Sequence, residues 1–241
     1  MLFLTRLAFI MCSTADSKRT LIFGNSHIKH LNNFMNRTRD RGEARSLHNF
    51  RLQRDEVKLV GIGGITTSHL VSHKKKRGKD ISQLLEEEID VFKPQSLILW
   101  TLDNDIGKDT TAEEVAMYYV HVALLLHKRF TCIQEVTICQ ALPRHRNEWV
   151  RVDVDNHLQE VHHYNKIAKE ANTILSREVL NFDYQKFNLK FFQSLKFSLP
   201  GDSPLRYRKG KTNYRKDGVH LKYAGVKKFY KTLRTLVTSS S

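Results

Sequence analysis

The chain has 241 residues, 40% of them hydrophobic and 27% charged, and its 40 Lys and Arg against 25 Asp and Glu give a net charge of +15. That length favours one domain with a sizeable core, and the composition reads as globular rather than disordered. No stretch approaches the ~20 apolar residues that span a bilayer. Three cysteines, Cys12, Cys132 and Cys139, are too few and too irregular for a disulfide framework or a zinc site.

Residues 1–15 have the outline of a signal peptide ending at Ala15, but Arg6 interrupts the apolar run. What remains beyond it is shorter than the usual ~7–15 residue hydrophobic region. Residues 1–19 are therefore expected to be a leader without fixed structure, residues 20–237 a single domain and residues 238–241 a tail. An intracellular location is favoured over secretion.

Along the chain, short apolar runs alternate with longer amphipathic ones. A strand is expected at 21–23, then a helix over 26–36, and a second strand at 57–62 running into Gly61-Ile62-Gly63-Gly64. Ile81, Leu84, Leu85 and Ile89 at helical spacing predict a helix over 80–92, stopped by Pro94. A strongly apolar strand at 96–101 precedes a helix over 111–129, which Thr111 or Thr110 caps and Glu113 and Glu114 support in its positive first turn. A fourth strand at 136–142 leads into an Arg-rich loop and a helix over 157–177. The aromatic stretch 187–197 has no clear period, and a last helix is expected over 222–237. Strands alternating with helices of this length imply parallel pairing and a three-layer α/β/α sandwich. Ligands gather at the carboxyl ends of the strands in such sheets, and Ser26, Gly64 and Asn104 each follow a predicted strand end.

A serine hydroxyl needs a base to take its proton and a carboxylate to orient that base. Asp217-Gly218-Val219-His220, just ahead of the last helix, offers both on one short segment. Ser26 is then the candidate nucleophile, His220 the base and Asp217 its orienting carboxylate. The oxyanion would need donors in place, and the Ser26 N–H, the Gly64 N–H and the Asn104 amide are the candidates. Taken singly, each has an ordinary structural role: Ser26 as a helix cap, the glycines as a turn, and His220 as a surface histidine. His157, Glu160, His162 and His163 cluster on one predicted helix but lack a His-Glu-x-x-His spacing, so a solvated face is expected and no metal site. Tyr118, Tyr119, Phe187, Phe191 and Phe192 are expected to serve the core.

Four segments in order resemble the SGNH (GDSL-type) hydrolases. They are Phe23-Gly24-Asn25-Ser26-His27, Gly61-Ile62-Gly63-Gly64-Ile65-Thr66, Leu102-Asp103-Asn104-Asp105 and Asp217-Gly218-Val219-His220-Leu221. The resemblance covers about residues 20–237 and implies a flavodoxin-like sandwich that hydrolyses carboxylic esters without a metal or organic cofactor. It also implies that Asp105 is structural. Two positions depart from the pattern: Asn25 stands where the family has Asp, and Leu102 where it has Gly. Asn25 is near-isosteric and can still cap the turn, whereas Leu102 is expected to add bulk beside the site or to re-aim Asn104. Sugar acetates and lipid acyl esters are equally compatible substrates.

From Lys186 onward the chain carries 14 basic and two acidic residues, a net +12. Other basic runs are Lys74-Lys75-Lys76-Arg77-Gly78-Lys79 and Arg144-His145-Arg146. Such fields attract polyanions. The rival reading is therefore a catalytically weak or inactive module on the same fold that grips nucleic acid or another polyanion through Lys209, Lys211 and Arg215, although no RNA-binding signature is present.

Overall fold

In the computed structural model of the chain, residues 17–40, 47–145, 147, 152–181, 188–194, 197 and 213–239 are described. The leader up to residue 16, Phe187, Lys209, Lys211 and the last two residues fall outside these ranges.

Five parallel strands make the main sheet: β1 (Arg19–Gly24), β2 (Glu56–Gly61), β5 (Ser96–Trp100), β6 (Glu135–Cys139) and β7 (Asn188–Phe192). Their spatial order is β2-β1-β5-β6-β7, the flavodoxin-like 2-1-3-4-5 order when only these strands are counted. Side chains alternate across the sheet because successive residues of a strand point to opposite faces. Leu21, Phe23, Leu97, Leu99, Val136 and Ile138 pack with α2 (Ile81–Phe92), α3 (Ala112–Arg129) and α4 (Val154–Leu180). Ile22, Ile98, Trp100 and Cys139 face the other way, onto α1 (Ser26–Asp40) and α5 (Tyr223–Ser239). β5 is buried along its full length, as a central parallel strand covered on both faces should be. This is the expected three-layer sandwich. No helix among the described residues is long and apolar enough to cross a membrane.

The helix starts follow the sequence signals closely. Asp80 caps α2 by accepting from the Gln83 N–H at 3.1 Å. Thr111 and Glu114 form a reciprocal capping box on α3. α2 ends ahead of Pro94, with Lys93 in the left-handed region at φ 48°. α1 runs past its predicted end through a polar turn, Arg37-Thr38-Arg39-Asp40, that carries no apolar period, and α4 extends to Val154 and Leu180. Two elements were not legible. β7 is an edge strand on which only Leu189 is fully buried, so alternation is weak. The basic run at 74–79 folds as a small hairpin, β3 (Lys75–Lys76) with β4 (Lys79–Asp80).

Candidate active site

The site is built where β1, β2 and β5 end. Gly24 closes β1, and a Cβ there would lie 2.6 Å from Ile28 Cγ1 and 2.7 Å from the Trp100 carbonyl oxygen. Only glycine lets the chain turn into α1 this close to β5. Asn25 follows and is buried. Its N–H donates to the Trp100 carbonyl at 2.9 Å, and its own carbonyl accepts from the Lys29 N–H at 3.2 Å. Its Oδ1 accepts from the His27 N–H at 2.9 Å. Asn25 is therefore the cap of α1, and Ser26 is the first helical residue, not the cap that its position alone suggested. The Ser26 hydroxyl is half-buried and not used in capping.

Asn25 is held from beneath. Its Nδ2 donates at 2.7 Å to Asp103 Oδ2, while Asp103 Oδ1 accepts from the Leu142 N–H beyond β6. One carboxylate thus ties the ends of β1, β5 and β6 together. Burial pushes the Asp103 carboxyl up to about 6, opposed by the hydrogen bonds from Leu142 and Asn25 and by the Arg144 charge. Arg144 donates to the Asp103 backbone carbonyl at 3.1 Å and stacks its guanidinium 3.9 Å from the centre of the Tyr164 ring.

The glycine loop leaves β2 with the Ile62 N–H donating to the Gly24 carbonyl at 2.9 Å. Gly64 is exposed and left-handed at φ +74°. Asn104 reaches across, its Nδ2 donating to the Ile65 carbonyl at 2.7 Å. That bond uses one of two amide protons and leaves the other for a ligand. Asp105 accepts from the Thr67 N–H at 2.9 Å and from the Thr67 hydroxyl at 2.5 Å, a clamp on the loop that fits the structural part expected of it. Burial pushes its carboxyl up to about 6 despite those bonds. Leu102 is not beside the site. Its side chain is fully buried in the core with Ile106, Val115 and Tyr119, because the 3-10 turn at Leu102–Asn104 directs it inward while Asn104 stays half-exposed.

The carboxy-terminal pair sits on a loop between Tyr214 and Leu221, which form an antiparallel bridge. Asp217 Oδ1 accepts from the Val219 and His220 N–H groups at 2.9 and 2.8 Å, and Asp217 Oδ2 meets His220 Nδ1 at 2.9 Å. Partial burial alone would raise the Asp217 carboxyl, but the backbone and side-chain bonds with His220 and the Val219 N–H hold it below its ordinary value. An ionised carboxylate only accepts, so Nδ1 is the donor in this pair, and in the neutral imidazole it is Nε2 that has the lone pair. The His145 N–H donates to the Gly218 carbonyl at 2.8 Å, docking this loop on the segment after β6.

His220 packs against α1. Its ring stands edge-on to His30 with centroids 5.1 Å apart, and 6.3 Å from the His27 ring. His30 is four residues beyond Ser26, hence on the same helix face, with Cβ atoms about 6 Å apart. Asp217 and His220 are thus joined directly and brought to the helix face that begins with Ser26. Ser26 and His220 share no direct hydrogen bond among the described residues.

His27, His30, Asp103 and Arg144 were missed in the sequence. Only the two histidines left a trace, at helical spacing behind Ser26. Burial, then the charges of His220 and Arg144, lower His27 to about 3. Burial, then Arg215 and His220, lower His30 to about 4. Both are neutral near pH 7 and add no cation beside His220. Of the proposed polyanion contacts, Arg215 alone is described, and its Nε donates to the Leu221 carbonyl at 3.2 Å. On α4, His157 Nε2 accepts from the Asn147 N–H at 3.0 Å and Glu160 pairs with Lys108 at 2.7 Å. Tyr119 is fully buried, whereas Tyr118 is 40% exposed and is not core as expected.

No protein-family model matches the chain, and no curated protein matches it in sequence. Solved structures do match in shape. A GDSL-like lipase from Bacteroides thetaiotaomicron VPI-5482 aligns at TM-score 0.50 and 14% identity, covering 93% of this chain and 89% of its own. A carbohydrate acetylesterase family member from Sinorhizobium meliloti aligns at TM-score 0.50 and 12% identity, covering 91% and 97%. A carbohydrate esterase family 3 protein from Talaromyces cellulolyticus does so at TM-score 0.50 and 13% identity, covering 92% and 97%. With the strand order, three of the segments at strand ends and the fourth just ahead of the last helix, these likenesses establish that the chain has the fold of the SGNH (GDSL-type) hydrolases.

Proposed function

We propose that the protein is a serine hydrolase of carboxylic esters, with Ser26 as nucleophile, His220 as general base and Asp217 as the carboxylate that orients it. The observation that carries this reading is the Asp217–His220 pair, hydrogen-bonded at 2.9 Å and packed against the helix that Ser26 opens. In the reaction, His220 Nε2 takes the Ser26 proton as Oγ attacks the ester carbonyl, and Asp217 stabilises the imidazolium. The Ser26 N–H, the Gly64 N–H and the remaining Asn104 amide proton receive the developing oxyanion. Collapse expels the alcohol with the proton from His220. Water, deprotonated by the same ring, then releases the acid from Ser26.

The test is hydrolysis of para-nitrophenyl acetate by the wild type beside Ser26→Ala. We expect a Ser26-dependent rate at least about 10³-fold above the variant's, with unchanged unfolding curves. Equal turnover by a folded Ser26→Ala protein removes Ser26 as nucleophile.

A further inference from the structure

The basic hairpin β3–β4 lies against the glycine loop, and nothing in the mechanism above uses it. Lys76 Cε and Nζ lie 3.2 and 3.3 Å from where a Cβ on Gly64 would be, and Arg77 Nη2 lies 3.9 Å from the corresponding point on Gly63. Covalent geometry then puts the Lys76 ammonium within about 6 Å of the Gly64 amide nitrogen. Lys76 is half-buried at this point rather than extended into solvent. The hairpin turn is Arg77-Gly78, with φ of +53° and +78°. A two-residue turn of this kind usually has Asn or Asp ahead of the Gly, so an arginine is held here in a backbone region that disfavours it.

Among the described residues, Lys74, Lys75, Lys76, Arg77 and Lys79 form no ion pair with any carboxylate. The acid on the hairpin, Asp80, is engaged by His73, by Ser82 and by the cap of α2. The nearby acids of the loop are committed as well, Asp105 to Thr67 and Asp103 to Asn25 and Leu142. After burial, the charges of Lys76 and Lys74 depress His69 on the 3-10 turn that follows the glycine loop. Arg144 bears on His27, and Lys29 and Arg215 on His30, so cations border the site on the α1 side too.

We infer that this site selects esters bearing an anionic group, a carboxylate or phosphate that lies between Lys76 and Arg77 beside Gly63 and Gly64. The inference rests on the ester-hydrolase reading and adds its substrate class. The fork of Arg77 suits two oxygens of one anion, and Lys76 supplies a point charge. The anion can sit on the acyl chain or on the leaving alcohol, and matched esters separate the two.

The experiment compares kcat/KM of the full chain for para-nitrophenyl butyrate against para-nitrophenyl hemisuccinate, and for methyl meta-acetoxybenzoate against meta-acetoxybenzoate. We expect the anionic member of at least one pair to be favoured by about tenfold, the effect of one well-placed charge contact. Lys76→Gln and Arg77→Gln should each remove most of that preference through KM, with the neutral esters within about twofold. Ionic strength of about 1 M, where the Debye length falls to about 3 Å, should shrink it as well. Equal rates within both pairs, or variants that slow neutral and anionic esters alike, overturn the anion inference and leave the hydrolase reading standing. Absence of Ser26-dependent turnover of every ester removes both.

Discussion

The two ends of the candidate triad are held in different ways. The base end is local: Asp217, Val219 and His220 satisfy one another within four residues, and the loop needs only to be docked through Gly218. The nucleophile end is distributed. The turn before Ser26 depends on Gly24 meeting β5, on Asn25 capping α1, and on Asp103, 78 residues away, holding the Asn25 amide. A local device can be damaged without harm to the fold, whereas a buried polar link between three strand ends cannot.

The sharpest way to separate the two is to break each. Asp217→Asn keeps an oxygen for the backbone N–H groups but replaces the acceptor of the His220 proton with a donor. We expect kcat for a neutral ester to fall by about 10³-fold or more, since the wrong tautomer is then favoured, with a stability loss under about 1 kcal/mol by urea unfolding. Asn25→Asp does the opposite kind of damage. It faces the buried Asp103 with a second carboxylate, and removing a partner from a buried charge in this way costs about 3 kcal/mol. That loss should shrink as pH falls, because the like charge raises the pair above the value Asp103 has beside Asn25, and the carboxyl that takes a proton donates the missing bond. The reciprocal change restores every contact on paper. With Asn25→Asp and Asp103→Asn together, the new amide at 103 donates to the new carboxylate at 25, and the Leu142 and His27 N–H groups keep their acceptors. Recovery to within about 1 kcal/mol of wild type is expected from the pair. A double variant as unstable as the sum of the two single ones contradicts the link.

A smaller effect probes the packing between the two ends. His27 is neutral when folded, at about 3 against an ordinary 6.5. The unfolded chain therefore binds more protons in that window, and the stability from a neutral His27 is full above 6.5 and lost as pH falls toward 3. Asp103, raised to about 6, works in the opposite sense between its ordinary 3.8 and that value. One proton is worth about 1.4 kcal/mol per pH unit. The acid loss between about pH 7 and pH 5 should thus be about 2 kcal/mol smaller in His27→Gln than in wild type. Parallel stability curves for the two proteins contradict a buried neutral His27.

The same contrast explains what could be read from the chain. Strands with apolar runs, a threonine cap with acids in the first turn of α3, and the nearness of Asp217 to His220 are all signals within a few residues, and each is present in the fold. Parallel pairing of the strands followed from their alternation with helices, whereas their flavodoxin-like order was implied only by the family resemblance. The Asn25–Asp103 bond leaves no trace, because a contact across 78 residues has no period. Nor does the inward turn of Leu102, which depends on where the core lies. The hairpin at 75–80 looked like a solvated charge run because its strands are two residues each. Its nearness to the glycine loop is a matter of tertiary packing.

The central claim is that Ser26 is an activated nucleophile. It is tested most directly by treating the folded protein with a fluorophosphonate probe and locating the adduct by peptide mass spectrometry. The account requires one adduct, on Ser26, that disappears in Ser26→Ala and forms far more slowly in His220→Ala. An unmodified Ser26 in the folded wild type, or undiminished labelling of folded Ser26→Ala, would contradict it.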